Sequence, residues 1–208
     1  MNLYRRTLTY GLYLMFRPFD GFWDLREEKR GSLAAAFTII FLVIVTYVLN
    51  NQYTAFMFNF TNLKHQNIYL DIASVLLPFL LFCVANWALT SLTDGEGTFK
   101  DIFIATAYAL TPIIVIIPPL IILSQFMNIE EGTFYYVFLT ISLLWAGMLI
   151  FFGTMVTHDY TLPKTFLTMI GILIGMGLMI FIALLFASVI QQIIGFFYII
   201  YKEIRFRV

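Results

Sequence analysis

Five stretches of this sequence contain no Asp, Glu, Lys, Arg or His: Leu33–Leu49, Ile72–Leu92, Ile102–Leu123, Phe134–Val156 and Phe166–Ile190. Crossing the hydrocarbon of a bilayer takes about 20 apolar residues, within a range of about 17–25. A charge at mid-span costs roughly 2.5–3.5 kcal/mol or more, which accounts for the exclusion of ionisable residues from these runs. Backbone N–H and C=O groups find no water there, so each run must be a helix. The predicted fold is therefore all-α, a polytopic bundle of five transmembrane helices. Composition agrees: the chain is 61% hydrophobic and 12% charged, where a soluble domain carries about 25% charged residues.

The connections Asn50–Asp71, Thr93–Asp101, Ser124–Thr133 and Thr157–Thr165 are short and hold most of the charge between the runs. No linker, second domain or internal repeat interrupts them, and residues 1–208 read as one integral membrane domain. With five crossings, Arg5, Arg6, Arg17, Arg26, Lys29, Arg30, Lys100 and Lys164 share one side. Lys64, Lys202, Arg205 and Arg207 share the other. Lys and Arg favour the cytoplasmic side, which places the N-terminus there. No small-residue cleavage site follows Tyr10–Phe16, so the first span is expected to serve as the insertion signal.

Both ends have amphipathic character. In Asn2–Phe16 a helix groups Leu3, Tyr4, Leu8, Leu12 and Met15 against Asn2, Arg5, Arg6, Thr9 and Tyr13. Residues 1–32 are expected to form a cytoplasmic interfacial segment. In 191–208, Ile193, Phe197, Ile200 and Ile204 oppose Tyr198, Lys202 and Arg205. This tail reads equally as an interfacial helix or as an extension of the fifth span.

Three features stand out along the spans. Asp94-Gly-Glu-Gly-Thr-Phe-Lys-Asp101 is a glycine turn in which Thr98 or Asp94 suits the N-cap of the third span. Asp101 suits the positive end of that helix. Phe99 and Lys100 are left over by this capping account and form a candidate docking corner with Asp94, Gly95 and Gly97. Next, Pro112, Pro118 and Pro119 lie within the third span, where a proline deletes a helix hydrogen bond. Thr111 and neighbouring helices are positioned to satisfy the freed carbonyls. Finally, Gly171 and Gly175 form a small-x-x-x-small stripe on the fifth span, suited to close packing inside the chain or to a homodimer seam.

Catalytic chemistry is absent from the pattern. His65 and His158 are predicted on opposite sides, and the triplet His158-Asp159-Tyr160 reads as a solvated loop. The single Cys83 allows no intramolecular disulfide and no cysteine cluster for a metal. Neither a paired carboxylate nor a Ser/His/Asp group gathers at one depth, so no cofactor or metal is expected. Lys+Arg and Asp+Glu balance at 12 each, which argues against a nucleic-acid partner. Asn59-Phe60-Thr61 fits a glycosylation sequon of low specificity.

Two segments resemble the Yip domain (Ypt/Rab-interacting protein) family. Asp94-Gly-Glu-Gly-Thr-Phe-Lys-Asp-Ile-Phe-Ile-Ala-Thr-Ala-Tyr-Ala-Leu-Thr-Pro112 has the family's glycine-rich turn, Phe-Lys, and Tyr-x-x-x-Pro inside the third span. Arg17-Pro-Phe-Asp-Gly-Phe-Trp-Asp-Leu resembles the segment before the domain in compact bacterial members. The resemblance implies an integral protein of the bacterial cell membrane with a cytoplasmic N-terminus and no known enzymatic activity. Eukaryotic relatives associate with small GTPases, but this chain lacks their long N-terminal region and their Asp-Leu-Tyr-Gly-type motif, which argues against such a partner. Some bacterial members accompany transport systems.

The expectation is thus a non-catalytic membrane scaffold or accessory subunit, embedded in lipid and bound to other membrane proteins such as transport-complex subunits. Its partner-binding candidates are Phe19, Trp23, Asp94, Gly95, Gly97, Phe99 and Lys100. Tyr108 and Pro112 shape the third helix, and Gly171 and Gly175 pack the fifth. The competing expectation is a transporter or channel whose path is lined by the proline-broken third helix.

Overall fold

In the computed structural model, residues 3–59, 67–93 and 95–207 are described. Helices α1 (Leu3–Phe16) and α2 (Pro18–Arg26) precede the spans. The five apolar runs form α3 (Leu33–Tyr53), α4 (Ile68–Leu92), the pair α5 (Phe99–Ala109) and α6 (Thr111–Ser124), α7 (Gly132–His158) and α8 (Leu162–Arg207). Five helical segments are long and apolar enough to cross a membrane, with α5 and α6 together making the third. The protein is an integral membrane protein with an all-α bundle fold, and no strand occurs among the described residues. Asp94, Lys64, His65 and the sequon residues Phe60 and Thr61 lie outside the described residues, as do Asn2 and the side chains of residues 3–6.

Helix starts follow local chemistry. Ser32 caps α3 by accepting from the Ala35 N–H at 3.1 Å, and Asn67 caps α4 by accepting from Tyr69 at 3.0 Å. Thr98 caps α5 in a reciprocal box: the Asp101 N–H donates to Thr98 Oγ1 at 3.3 Å and the Thr98 N–H donates to Asp101 at 3.2 Å. Each such cap satisfies a donor that a helix start would otherwise leave unpaired, worth about 1 kcal/mol.

Helix α5 is the axis of the bundle. Every residue from Ile102 to Ala109 is buried, which is what an all-round apolar helix requires. Helices α1, α2, α3, α4 and α7 pack around it. The core joins Leu14, Phe22, Ala35, Ala36, Ile102, Tyr108 and Leu149, all at most 1% exposed.

The third span breaks at Leu110, as the prolines predict. Pro112 has no N–H to give the Tyr108 carbonyl, four residues earlier. Thr111 Oγ1 donates to that carbonyl at 2.6 Å instead. Beyond the break α6 packs against α3 and α7.

Helices α1 and α2 are docked onto the bundle. Leu14 is fully buried, and the Trp145 indole N–H donates to the Met15 carbonyl at 3.2 Å. The Tyr108 hydroxyl donates to the Thr7 carbonyl at 2.9 Å. A Cβ on Gly11 would lie 2.7 Å from Thr111 Oγ1, so α1 crosses the helix break at close range. Within the protein the buried positions of α1 are Gly11, Leu14 and Met15, whereas Leu12 is 46% exposed. The reason is that α1 faces α5 and α2 at once, so its buried face is set by the pocket between them.

Helix α8 runs unbroken for 46 residues, about 69 Å at 1.5 Å per residue. Residues 191–207 therefore continue the span's helix without interruption. Ile172 is buried against Phe82 and Ala85 of α4, whereas residues 181–190 are exposed throughout. A Cβ on Gly171 would meet Leu89 at 2.7 Å, and one on Gly175 would meet Ala85 at 3.8 Å. Both glycines thus pack α8 against α4 within the chain.

Candidate functional site

At one end of the bundle, α2 meets the turn after α4 and the turn after α7. Pro18 stands in the first turn of α2, where its fixed φ suits a helix start. Phe22 is 1% exposed and fills the space over Gly153, whose added Cβ would lie 2.9 Å from the ring. Arg26 reaches across: one guanidinium nitrogen donates to the Val156 carbonyl at 3.1 Å, and another pairs with Glu96. The first contact satisfies a carbonyl in the last turn of α7. The second ties α2 to the glycine turn, although Glu96 is exposed and such a pair contributes at most about 1 kcal/mol.

The hairpin of α1 and α2 has its own polar lock. The Tyr10 hydroxyl donates to Asp24 at 3.0 Å, and Arg30 pairs with Asp24 at 3.1 Å. Burial, followed by the hydrogen bond to Asp24, pushes the Tyr10 phenol up, so it stays a neutral donor at physiological pH.

Beneath the glycine turn sits His158. It was expected in a solvated loop, but it is 1% exposed and Tyr160 is 6% exposed. The Gly97 N–H donates to His158 Nδ1 at 3.3 Å, and the two rings stack at 5.4 Å. The Tyr160 hydroxyl bonds Thr93 Oγ1 at 2.8 Å, and Lys164 donates to the Thr93 carbonyl at 3.0 Å while lying 4.0 Å above the Tyr160 ring. Asp159 adopts the left-handed conformation at φ 54°, which ends α7 and turns the chain back so that Tyr160 N–H reaches the Met155 carbonyl at 3.0 Å.

Gly95 and Gly97 consequently face inward. A Cβ on Gly95 would lie 2.7 Å from the Tyr160 hydroxyl oxygen, and one on Gly97 would lie 2.7 Å from Thr157 Cγ2 and 2.8 Å from His158 Cε1. Close approach of two turns explains both glycines. The outward positions are others. Phe19 and Trp23 are 50% and 54% exposed and flank a groove of about 390 Å³. Its remaining walls include Asp20, Glu27, Asp159 and Met155. Phe19 also touches the Phe152 ring at 4.6 Å. Phe99 and Lys100 are exposed but do not line this groove; the Phe99 ring lies edge-on to Trp87 at 6.2 Å.

The structure therefore gathers Phe19 with Trp23, and Gly95 with Gly97, and sets Phe99 with Lys100 apart. Tyr108 and Pro112 lie deeper, at the break. Sequence reasoning missed Arg26, His158, Tyr160 and Lys164. None carries a local signal, because each acts on a segment distant in the chain. No group of three His, Cys, Asp or Glu residues able to hold a metal occurs among the described residues.

Compared with known families, the chain matches the model of the Yip1 domain over residues 12–185. The chain belongs to the Yip1 domain family. The match begins within α1 and ends within α8, so it includes α2, the glycine turn, His158 and the whole of the broken third span. No curated protein and no solved structure matches the chain.

Proposed function

We propose that this Yip1 domain protein is a non-catalytic membrane scaffold or accessory subunit that docks a protein partner, such as a transport-complex subunit, at the α2 end of its bundle. The observation that carries the reading is the pair of half-exposed aromatics, Phe19 and Trp23, on a helix that Phe22, Leu25 and Arg26 hold rigidly in place. Aromatic anchors on a rigid element lose little entropy on binding and are enriched in interfaces. Around the groove Arg26 pairs with Glu27 at 3.3 Å, and the remaining Asp20 and Asp159 favour a partner segment with basic residues. In this reading the α2 end faces the cytoplasm of a bacterial cell, because Lys100 and Lys164 lie at the same end as Arg17, Arg26 and Arg30. Phe99 and Lys100 supply a second contact on the flank. Changing both to Ala should weaken partner recovery from cross-linked membranes and leave insertion intact; undiminished recovery removes them from the docking surface.

The transporter reading has one observation in its favour: the broken third span lines a cavity of about 430 Å³ through Thr106, Leu110, Ile113 and Ile117. That lining is almost wholly apolar, which does not suit an ion path. Flux through sealed vesicles, altered by Pro112→Ala, is its test; vesicles tight to a broad solute panel speak against it.

A further inference from the structure

The cavity beside the broken helix sits at the middle of the spans. It extends from Thr106 to Ile117 along α5 and α6, and from Leu139 to Ile150 along α7. Eleven residues of helix rise about 16 Å, roughly half the 30 Å of a hydrocarbon core. The ring of helices leaves this space open: α4 packs on α3, α5 and α8, while α7 packs on α2, α5, α6 and α8. The break at Leu110 and Pro78 of α4 both border it.

We infer that this cavity binds one fatty acyl chain of a membrane phospholipid. Three observations select that occupant. The lining carries no charged side chain, and its buried floor is formed by Val43, Phe79, Phe82 and Ile117. An apolar cavity excludes water, and one of about 150 Å³ already stays dry and takes up apolar molecules. The mouth is continuous with the lipid-facing surface, since Leu143 and Leu173 on its rim are 53% and 63% exposed. The polarity is matched end to end as well. Tyr47 and Asn50 stand at the end farthest from α2, next to the last turn of α3. The Asn50 carboxamide oxygen accepts from Tyr135 at 3.0 Å and from Thr54 at 3.2 Å, leaving its NH₂ as the donor on that rim. A chain entering there puts its methyl end against Phe82 and Thr106 and its ester oxygens toward Tyr47 and Asn50.

The site is separate from the α2 end and can fail without affecting the docking reading. The test reconstitutes the full chain in vesicles of phosphatidylethanolamine and phosphatidylglycerol, doped with a phosphatidylethanolamine bearing a diazirine on one acyl chain. After photolysis, adducts are mapped by mass spectrometry. The site predicts adducts on the buried floor residues Val43, Phe79 and Ile117 as well as on outward residues such as Leu184. Filling the cavity with Ile113→Trp should reduce floor adducts severalfold while Leu184 labels as before. Leu139→Phe, which narrows the cavity from another helix, repeats the test should the first variant melt early. Labelling confined to outward residues in the unmodified chain, or floor labelling that survives filling in a folded variant, overturns the proposal.

Discussion

The hydrogen bond from Gly97 N–H to His158 Nδ1 joins, beside those of Tyr160 to Thr93, two turns that lie 61 residues apart. Around it the space is so close that Gly97 admits no side chain. Gly97→Ala should therefore destabilise the protein by about 1–3 kcal/mol, the usual cost of overpacking. Thermal unfolding in detergent measures this directly. Gly147→Ala is the matched control: a Cβ there meets nothing within 4 Å inside α7, and the exchange should stabilise by about 0.5–1 kcal/mol. Equal effects from the two substitutions would contradict the account of the turn. The glycines were legible in sequence as a turn, and Thr98 as the cap, because both depend on neighbours only a few residues away. The burial of His158 was not legible. Its acceptor role is created by Gly97, and nothing in His158-Asp159-Tyr160 itself distinguishes a buried triplet from a solvated one.

Among the elements, the broken third span combines the least regular backbone with the most central position. The Tyr108 carbonyl depends on Thr111 for the bond that Pro112 withholds. Thr111→Val keeps the shape, removes one of the two donors on that carbonyl, the other being a backbone N–H, and should cost about 0.5–1.5 kcal/mol, the net worth of one hydrogen bond. Thr111→Ser should retain most of the stability, and a variant pair with identical melting temperatures would refute the role. Helix α8 offers a second test. Gly171→Leu places a side chain against Leu89 and should loosen α8 from α4, while Gly177→Leu, which meets no neighbour, should not. Cross-linking between cysteines placed on α4 and α8 reads the difference. The spans themselves were easy to recognise, because the exclusion of charge is a property of each run alone. The docking of α1 was harder. Its amphipathicity announces two faces, but only the pocket between α2 and α5 decides that Leu14 and not Leu12 is the buried one.

At the level of the whole molecule, the bundle divides into two regions with different work. The α2 end is rigid, polar at its edges and crossed by Arg26, which holds α2 to α7 and to the glycine turn. Arg26→Ala should release both contacts and lower the melting temperature, with a larger effect than Glu96→Ala, because only Arg26 also satisfies the Val156 carbonyl. The interior beside the break is apolar and opens toward lipid. The most direct measurement is cross-linked purification from native membranes, with mass identification of what accompanies the protein, for the unmodified chain and for Phe19→Ala/Trp23→Ala. The account predicts a stoichiometric membrane or cytoplasmic partner that is lost from the double variant while the variant still inserts and melts normally. Recovery of the chain without partners, or with the same partners in both forms, would contradict it.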